Sequence, residues 1–184
     1  MARCGQCLTD SPPFDRTAAA VDYGFPWDGL VARLKFGQRP DLALALAEMM
    51  RESALRAGLL QSQRPDLLIP VPLSDQRLRS RGYNQAAELA RALGRHWSMP
   101  VLADGVTRLA GAGTQSSSTR EQRLQNLRGT MRVDRALAPR LRGLNVMLVD
   151  DVMTTGATVR ELARVVRAAG AEHIDVCVFA RTPP

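Results

Sequence analysis

The chain has 184 residues, 45% hydrophobic and 23% charged, which is enough for one globular domain with a full core. No run approaches the ~20 apolar residues of a membrane span, and no signal-peptide pattern opens the chain, so a cytoplasmic location is expected. The formal net charge of +7 rests on arginine, Lys35 being the only lysine, and aromatics make up 4%. Basic balance suits a polyphosphate ligand as well as nucleic acid, but scattered arginines and few aromatics offer little stacking platform, so nucleic acid is not expected as the primary ligand.

Cys4-Gly5-Gln6-Cys7 has metal-ligand or redox spacing but stands alone. A structural zinc site needs four ligands, usually two such pairs, and a thioredoxin-type motif needs a preceding strand. Residues 1–16 therefore read first as the stranded remnant of a cysteine-pair segment, ahead of a weak or shared metal site and of redox chemistry at Cys4 and Cys7, so that at most a zinc remnant and no bound zinc is expected in this chain. Residues 17–184 form the main domain. Ala18 to Tyr23 reads as a short strand. Asp28 is placed to cap a helix over Gly29 to Phe36, and Asp41 begins a longer one to about Ala57, with Leu42, Leu46, Met49, Met50 and Leu55 apolar. The two helices are expected to form a hood beside the sheet.

Leu67 to Val71 is the first buried strand, ended by Pro70 and Pro72. Ser74 to Gly82, carrying Arg77, Arg79 and Arg81, then reads as a strand-to-helix loop, and such loops lie where parallel sheets bind ligands. Arginine forks suit diphosphate oxygens, although a solvated basic loop accounts equally well for Arg77 and Arg79. A helix follows from Asn84 to about Gly94, with His96 after it as a surface or packing residue. Pro100 to Ala103 and Val106 to Leu109 read as short strands. The Gly/Ser-rich passage 110–120, with Gly111, Gly113 and Gln115, is a linker or a lid over the site, and the lid is favoured. Glu121 to Leu127 reads as a short helix and Met131 to Val133 as a strand.

The continuous apolar run Val146 to Val149 reads as a buried parallel strand with two carboxylates, Asp150 and Asp151, at its carboxyl end. Thr154-Thr155-Gly156-Ala157-Thr158 then opens directly into a helix whose inner face carries Val159, Leu162, Val165, Val166 and Ala169. His173 to Ala180 is a last strand, with His173 structural and Cys177 in the core. Alternating strands and helices imply an α/β fold with a parallel sheet flanked by helices.

This stretch suits recognition of a phosphate and a sugar together. Helix-start N–H groups, carrying roughly +0.5 charge, attract an anion, and Gly156 lets the backbone approach it. The adjacent carboxylates can accept from vicinal hydroxyls or help hold a ligand-bound magnesium ion. A phosphorelay acid pair is excluded by topology, because too little chain follows Asp151.

The stretch Val149-Asp150-Asp151-Val152-Met153-Thr154-Thr155-Gly156-Ala157-Thr158 resembles the phosphoribosyl pyrophosphate (PRPP) motif of type I phosphoribosyltransferases. Arg79-Ser80-Arg81-Gly82-Tyr83-Asn84-Gln85-Ala86, Thr107-Arg108 followed by Gln115, Arg123 and Asn126, and Leu34-Lys35-Phe36 are together similar to the ComF family, which includes ComFC and GntX-like proteins. The resemblance implies a type I phosphoribosyltransferase fold. It implies that Asp150 and Asp151 meet the ribose hydroxyls and magnesium, and that Thr154 to Thr158 cradle the 5-phosphate. Ser74, Arg79, Arg81 and Gly82 would face the pyrophosphate, and Gly111, Gly113 and Gln115 would lie in the lid. Arg108 joins the two carboxylates as a catalytic candidate. The implied activity is magnesium-dependent transfer of phosphoribosyl from PRPP to an unidentified acceptor, linked to competence and DNA uptake. The alternative is a catalytically silent adaptor that binds PRPP or nucleic acid. DNA-uptake proteins, single-stranded DNA and a second copy of the chain are compatible partners. Family members commonly carry two N-terminal cysteine pairs, of which only Cys4 and Cys7 match, so a truncated start is expected. Oxopurine enzymes place an aspartate base where this chain has Thr154, which argues against purine salvage.

Overall fold

The computed structural model describes residues 10–61, 63–109 and 127–183. Cys4, Cys7, Gly111, Gly113, Gln115, Arg123 and Asn126 lie outside those residues, as do the expected zinc remnant and lid. The elements in chain order are β1 (Arg16–Asp22), α1 (Trp27–Phe36), α2 (Leu42–Arg56), β2 (Leu67–Pro70), α3 (Asp75–Arg81), α4 (Gln85–Trp97), β3 (Val106–Arg108), β4 (Met131–Val133), β5 (Asn145–Met153), α5 (Ala157–Ala168) and β6 (His173–Arg181).

Four strands form one parallel sheet in the order β1-β6-β5-β2, while β3 and β4 pair antiparallel as a separate ribbon. The reason β5 is apolar on every residue from Val146 to Val149 is visible in its two faces. Side chains alternate across a strand. Met147 and Val149 pack with Ala18, Leu68, Cys177 and Phe179 under helices α1, α2 and α4. Val146 and Leu148 pack with Ile69, Ile174, Val176 and Val178 under α5, where Val159, Leu162, Ala163 and Val166 are inward, and under the β3–β4 ribbon. Both faces are covered, so no position on this stretch can be polar without a partner.

Several expectations are corrected in detail. The second N-terminal helix is a layer of the sheet itself: α2 buries Leu46, Ala47 and Met50 there, and Ser53 Oγ donates to the Ala19 carbonyl at 2.7 Å. The end of α1, by contrast, reaches the carboxyl end of β5, where Lys35 meets Asp151. Asp28 lies inside the first turn of α1 and accepts from the Gly29 N–H, so it is not the cap. Leu55 is exposed, as is Leu44. Helix α4 does not stop at Gly94 but runs to Trp97, with Ser98 in the left-handed conformation after it, so His96 falls in its last turn. Gly94 is a close-packing residue: a Cβ there would lie 2.8 Å from Val101 Cγ2 and 2.9 Å from the Met99 carbonyl oxygen. Of the strand expected at Pro100 to Ala103, only a parallel bridge between Leu68 and Val101 forms.

At the amino end of the sheet a charged clasp ties β1 to β6. Fully buried Asp175 accepts from Arg16 Nε at 3.0 Å and Nη2 at 2.6 Å, and lies 2.9 Å from His173 Nε2. Arg16 also donates to the Gly58 carbonyl. His173 is thus structural, and Cys177 is a buried core thiol pushed up to about 12 by desolvation.

Candidate functional site

The site is built where β5 runs out at the carboxyl end of the sheet. The strand is longer than its apolar run: Asp150 and Asp151 are still in register, with Asp150 opposite Val178 of β6. They do not follow the strand but lie within it, ahead of Val152 and Met153, at 8% and 3% exposure. Period-two alternation sends them to different faces. Asp151, in step with Met147 and Val149, faces the α1 and α4 side. Asp150, in step with Val146 and Leu148, faces the β3 ribbon.

Each carboxylate meets cationic or donor groups on its own side. Asp151 Oδ1 accepts from Gln85 Nε2 at 3.2 Å, and Lys35 Nζ stands 2.6 Å from Oδ2. The Lys35 ammonium is thus the group that compensates the buried Oδ2. Asp150 Oδ1 accepts from the Asp151 backbone N–H at 2.9 Å. Burial and then the neighbouring Asp151 push Asp150 well above the usual carboxylate range, with Lys35 opposing. Arg108 of β3 feels Asp150, while burial and Arg77 lower its pKa.

Asn84 positions the next layer. Its Oδ1 caps α4 by accepting from the Ala86 N–H at 3.0 Å, and its Nδ2 donates to the Val71 carbonyl at 3.0 Å. One residue thereby fixes the exit of β2 to the start of α4. Between them, the expected arginine loop is the helix α3, with Ser74 before it and Gly82 ending it at φ +80°. This changes which arginines act together. Residues two apart on a helix point apart, whereas i and i+4 share a face. Arg77 and Arg81 therefore share a face, where they repel each other and Arg77 also repels Arg108, while Arg77 and Arg79 are both exposed. Arg81 donates to Gln85 Oε1 at 3.0 Å and lies 4.8 Å over the ring of Phe36. Burial lowers its pKa and Asp151 opposes. The Tyr83 hydroxyl donates to the Leu34 carbonyl, pinning the end of α1 to the α3–α4 junction. A cavity of about 430 Å³ opens alongside, bordered by Gly82, Tyr83, Asn84, Thr107 and Arg108.

The polar loop after β5 turns as expected. Gly156 takes φ +73°, which favours glycine, and precedes α5. The Ala157 N–H points back to Thr155 Oγ1 at 3.4 Å, Thr154 is exposed, and Ala157 is buried. Helix α5 thus starts at Ala157, directly after the short loop that follows β5. Lys35 and Gln85 are the site residues that sequence reasoning did not select. Both stand in stretches that carry the family resemblance, Leu34-Lys35-Phe36 and Arg79 to Ala86, and Lys35 is also the only lysine in the chain.

A parallel sheet with a carboxylate pair, a Thr/Gly loop and a helix start at one strand end defines a phosphoribosyltransferase-type domain. The phosphoribosyl transferase domain family model matches residues 78–183, and the chain belongs to that family, within its ComF branch. It is 34% identical over 180 residues to the "DNA utilization protein YhgH" of Shigella flexneri, covering 97% of this chain and 78% of that one. It is 35% identical over 181 residues to "Competence protein F" of Haemophilus influenzae, with the same coverages. Among solved structures, a purine phosphoribosyltransferase from Pyrococcus horikoshii is similar at 23% identity and a TM-score of 0.42, over 82% of this chain and 78% of that one. No helix among the described residues is long and apolar enough to cross a membrane.

Proposed function

We propose that this protein binds PRPP and transfers its phosphoribosyl group to an acceptor with release of pyrophosphate, as part of the handling of DNA or its breakdown products in the cytoplasm. The observation that carries this reading is the pair Asp150–Asp151, buried at a strand end beside the Gly156 turn and the start of α5. A diol recognised by carboxylates next to a phosphate recognised by helix-start amides describes a ribose 5-phosphate. The link to DNA comes from the names of the similar proteins.

In this reading Asp150 and Asp151 accept from the 2- and 3-hydroxyls, and the amides of Thr155 to Thr158 hold the 5-phosphate. Arg81 and Arg77 face the pyrophosphate, and Arg108 stands on the Asp150 side of the strand. The bond from the anomeric carbon to pyrophosphate oxygen breaks with its electron pair leaving on pyrophosphate. The acceptor's lone pair forms the new bond, and the acceptor's proton passes to solvent. Positive charge developing on the ribose is stabilised by the nearby carboxylates, so no protein nucleophile is required. Asp151 Oδ2, a buried hard oxygen donor already facing the Lys35 cation, is the atom that would help hold a magnesium ion carried in by the ligand. When bound, that ion would neutralise diphosphate charge.

Thr154 favours a second reading. An exposed threonine stands where oxopurine enzymes carry an acceptor base, so a PRPP-binding module without turnover also fits. The test is pyrophosphate release from PRPP with magnesium and a panel of bases, nucleosides and amines. Release that depends on one acceptor class and disappears in Asp150→Asn supports transfer. Tight PRPP binding with no release for any acceptor supports the module.

A further inference from the structure

The only lysine in the chain stands against the most buried carboxylate of the site. Lys35 Nζ is 2.6 Å from Asp151 Oδ2, with side-chain exposures of 22% and 4%. The other oxygen, Oδ1, is already held by Gln85. Oδ2 is therefore the oxygen that faces a cation, and in this structure that cation is the Lys35 ammonium. We infer that Lys35 is a positioning residue that fills the cation place at Asp151 in the unliganded protein, so that a divalent cation enters with its phosphorylated ligand rather than alone. The identity of that ligand rests on the phosphoribosyl reading; the exchange at Asp151 does not.

Three features carry this. First, the anchoring of α1 is separate from the ammonium. Leu34 is buried and its carbonyl is held by Tyr83, and Phe36 lies against Arg81, so α1 is anchored beside Lys35 by contacts other than the ammonium, and the Lys35 side chain keeps 22% exposure. The tip can withdraw without unfolding the helix. Second, lysine is the residue suited to leave. Its ammonium is a compact, strongly hydrated point charge on a flexible stem, whereas an arginine fork would lock the carboxylate bidentately. Third, two carboxylates are a poor metal site on their own. Among the described residues no group of three or more His, Cys, Asp or Glu side chains is arranged to hold a metal. Magnesium and calcium want about six oxygens, so a lone ion would have to displace Lys35 and still lack ligands. A diphosphate-bearing ligand brings oxygens for the ion and, at the same time, anionic oxygens for the displaced ammonium.

The arrangement also reaches α3. Asp151, Gln85, Arg81, Phe36 and Lys35 close a ring across β5, α4, α3 and α1. Exchange of Lys35 for a ligand-borne cation at Asp151 therefore bears on the residue that aims Arg81.

The test uses Mn²⁺ alone as the probe, followed by electron paramagnetic resonance, with the full chain as wild type, Lys35→Met, Lys35→Arg and Asp151→Asn, each checked for folding by circular dichroism. Lys35→Met is expected to bind Mn²⁺ about tenfold tighter than wild type, and Lys35→Arg no tighter. Because the chain has one lysine, amine acylation read by mass spectrometry supplies a metal-free check: Asp151→Asn should label Lys35 several-fold faster. Equal Mn²⁺ affinities in wild type and Lys35→Met, no binding by Lys35→Met, or unchanged labelling overturns the inference. A PRPP titration of the wild type separates the two readings. If PRPP fails to bind while Lys35→Met gains Mn²⁺, the phosphoribosyl reading falls and the role of Lys35 stands. If PRPP binds and Lys35→Met gains nothing, the role of Lys35 falls.

Discussion

Replacing Asp150 with asparagine should make the protein more stable at neutral pH and a poorer binder. The carboxyl is 8% exposed and sits next to Asp151, and both facts oppose its ionisation. Its folded-state pKa is raised above the unfolded value, so the sign follows directly. The folded protein holds the proton more tightly, its stability contribution is fully present below the unfolded carboxylate pKa, and it is lost as pH rises through the raised folded value. At pH 7 the wild type therefore lacks a contribution that it has in acid. Asparagine is neutral throughout and keeps Oδ1 as acceptor for the Asp151 N–H. Substitutions that relieve strain at a functional site commonly stabilise by about 0.5–2 kcal/mol. At roughly 2–4 °C per kcal/mol for a domain of this size, Tm should rise by about 1–8 °C at pH 7. Thermal denaturation of both proteins from pH 7 downward is the assay, and the gap should close as Asp150 of the wild type takes up its proton. A Tm below wild type at pH 7, or a gap that widens in acid, would refute the reasoning.

The helix formed by Asp75 to Arg81 makes a second, sharper distinction. Arg77→Ala should weaken PRPP binding by about tenfold or more, as expected for a lost charge-assisted hydrogen bond, while Arg79→Ala changes it little; calorimetry decides. Equal effects would mean that α3 unwinds on binding. Asp175→Asn removes the charge shared by Arg16 and His173 at a fully buried position and should cost about 3–5 kcal/mol in urea unfolding, without changing ligand affinity once folded. Gly94→Ala places a methyl 2.8 Å from Val101 Cγ2, and overpacking should cost about 1–3 kcal/mol by the same measurement.

The sheet and half of the site were legible because their signals are local. Val146 to Val149 is apolar on both faces since both are covered, and Gly156 marks the turn that its positive φ requires. The end of β5 was not legible. Two aspartates on a strand contradict the burial rule unless partners arrive from elsewhere, and functional sites are where such rules break. Of those partners, Arg108 on β3 was selected through the family resemblance, whereas Lys35 on α1 and Gln85 on α4 were given no role, because no spacing along the chain connects them to β5. Helix α3 was hidden for a different reason. It buries none of its residues, so it carries no apolar period to read, and its arginines look like a loop. Gly94 shows the converse error: a glycine inside a helical pattern reads as a stop, but here the reason is Val101 and Met99 pressed against it.

The account stands on the carboxylate pair and the helix start forming one PRPP site. The most direct measurement is a calorimetric titration of the wild type and of Asp150→Asn/Asp151→Asn with PRPP in magnesium. Loss of two charged acceptors of the ribose hydroxyls, at about 1.5–3 kcal/mol each, predicts saturable binding by the wild type and at least a hundredfold weakening in the folded double variant. Equal affinities in the two proteins, or no binding by the wild type, would contradict it.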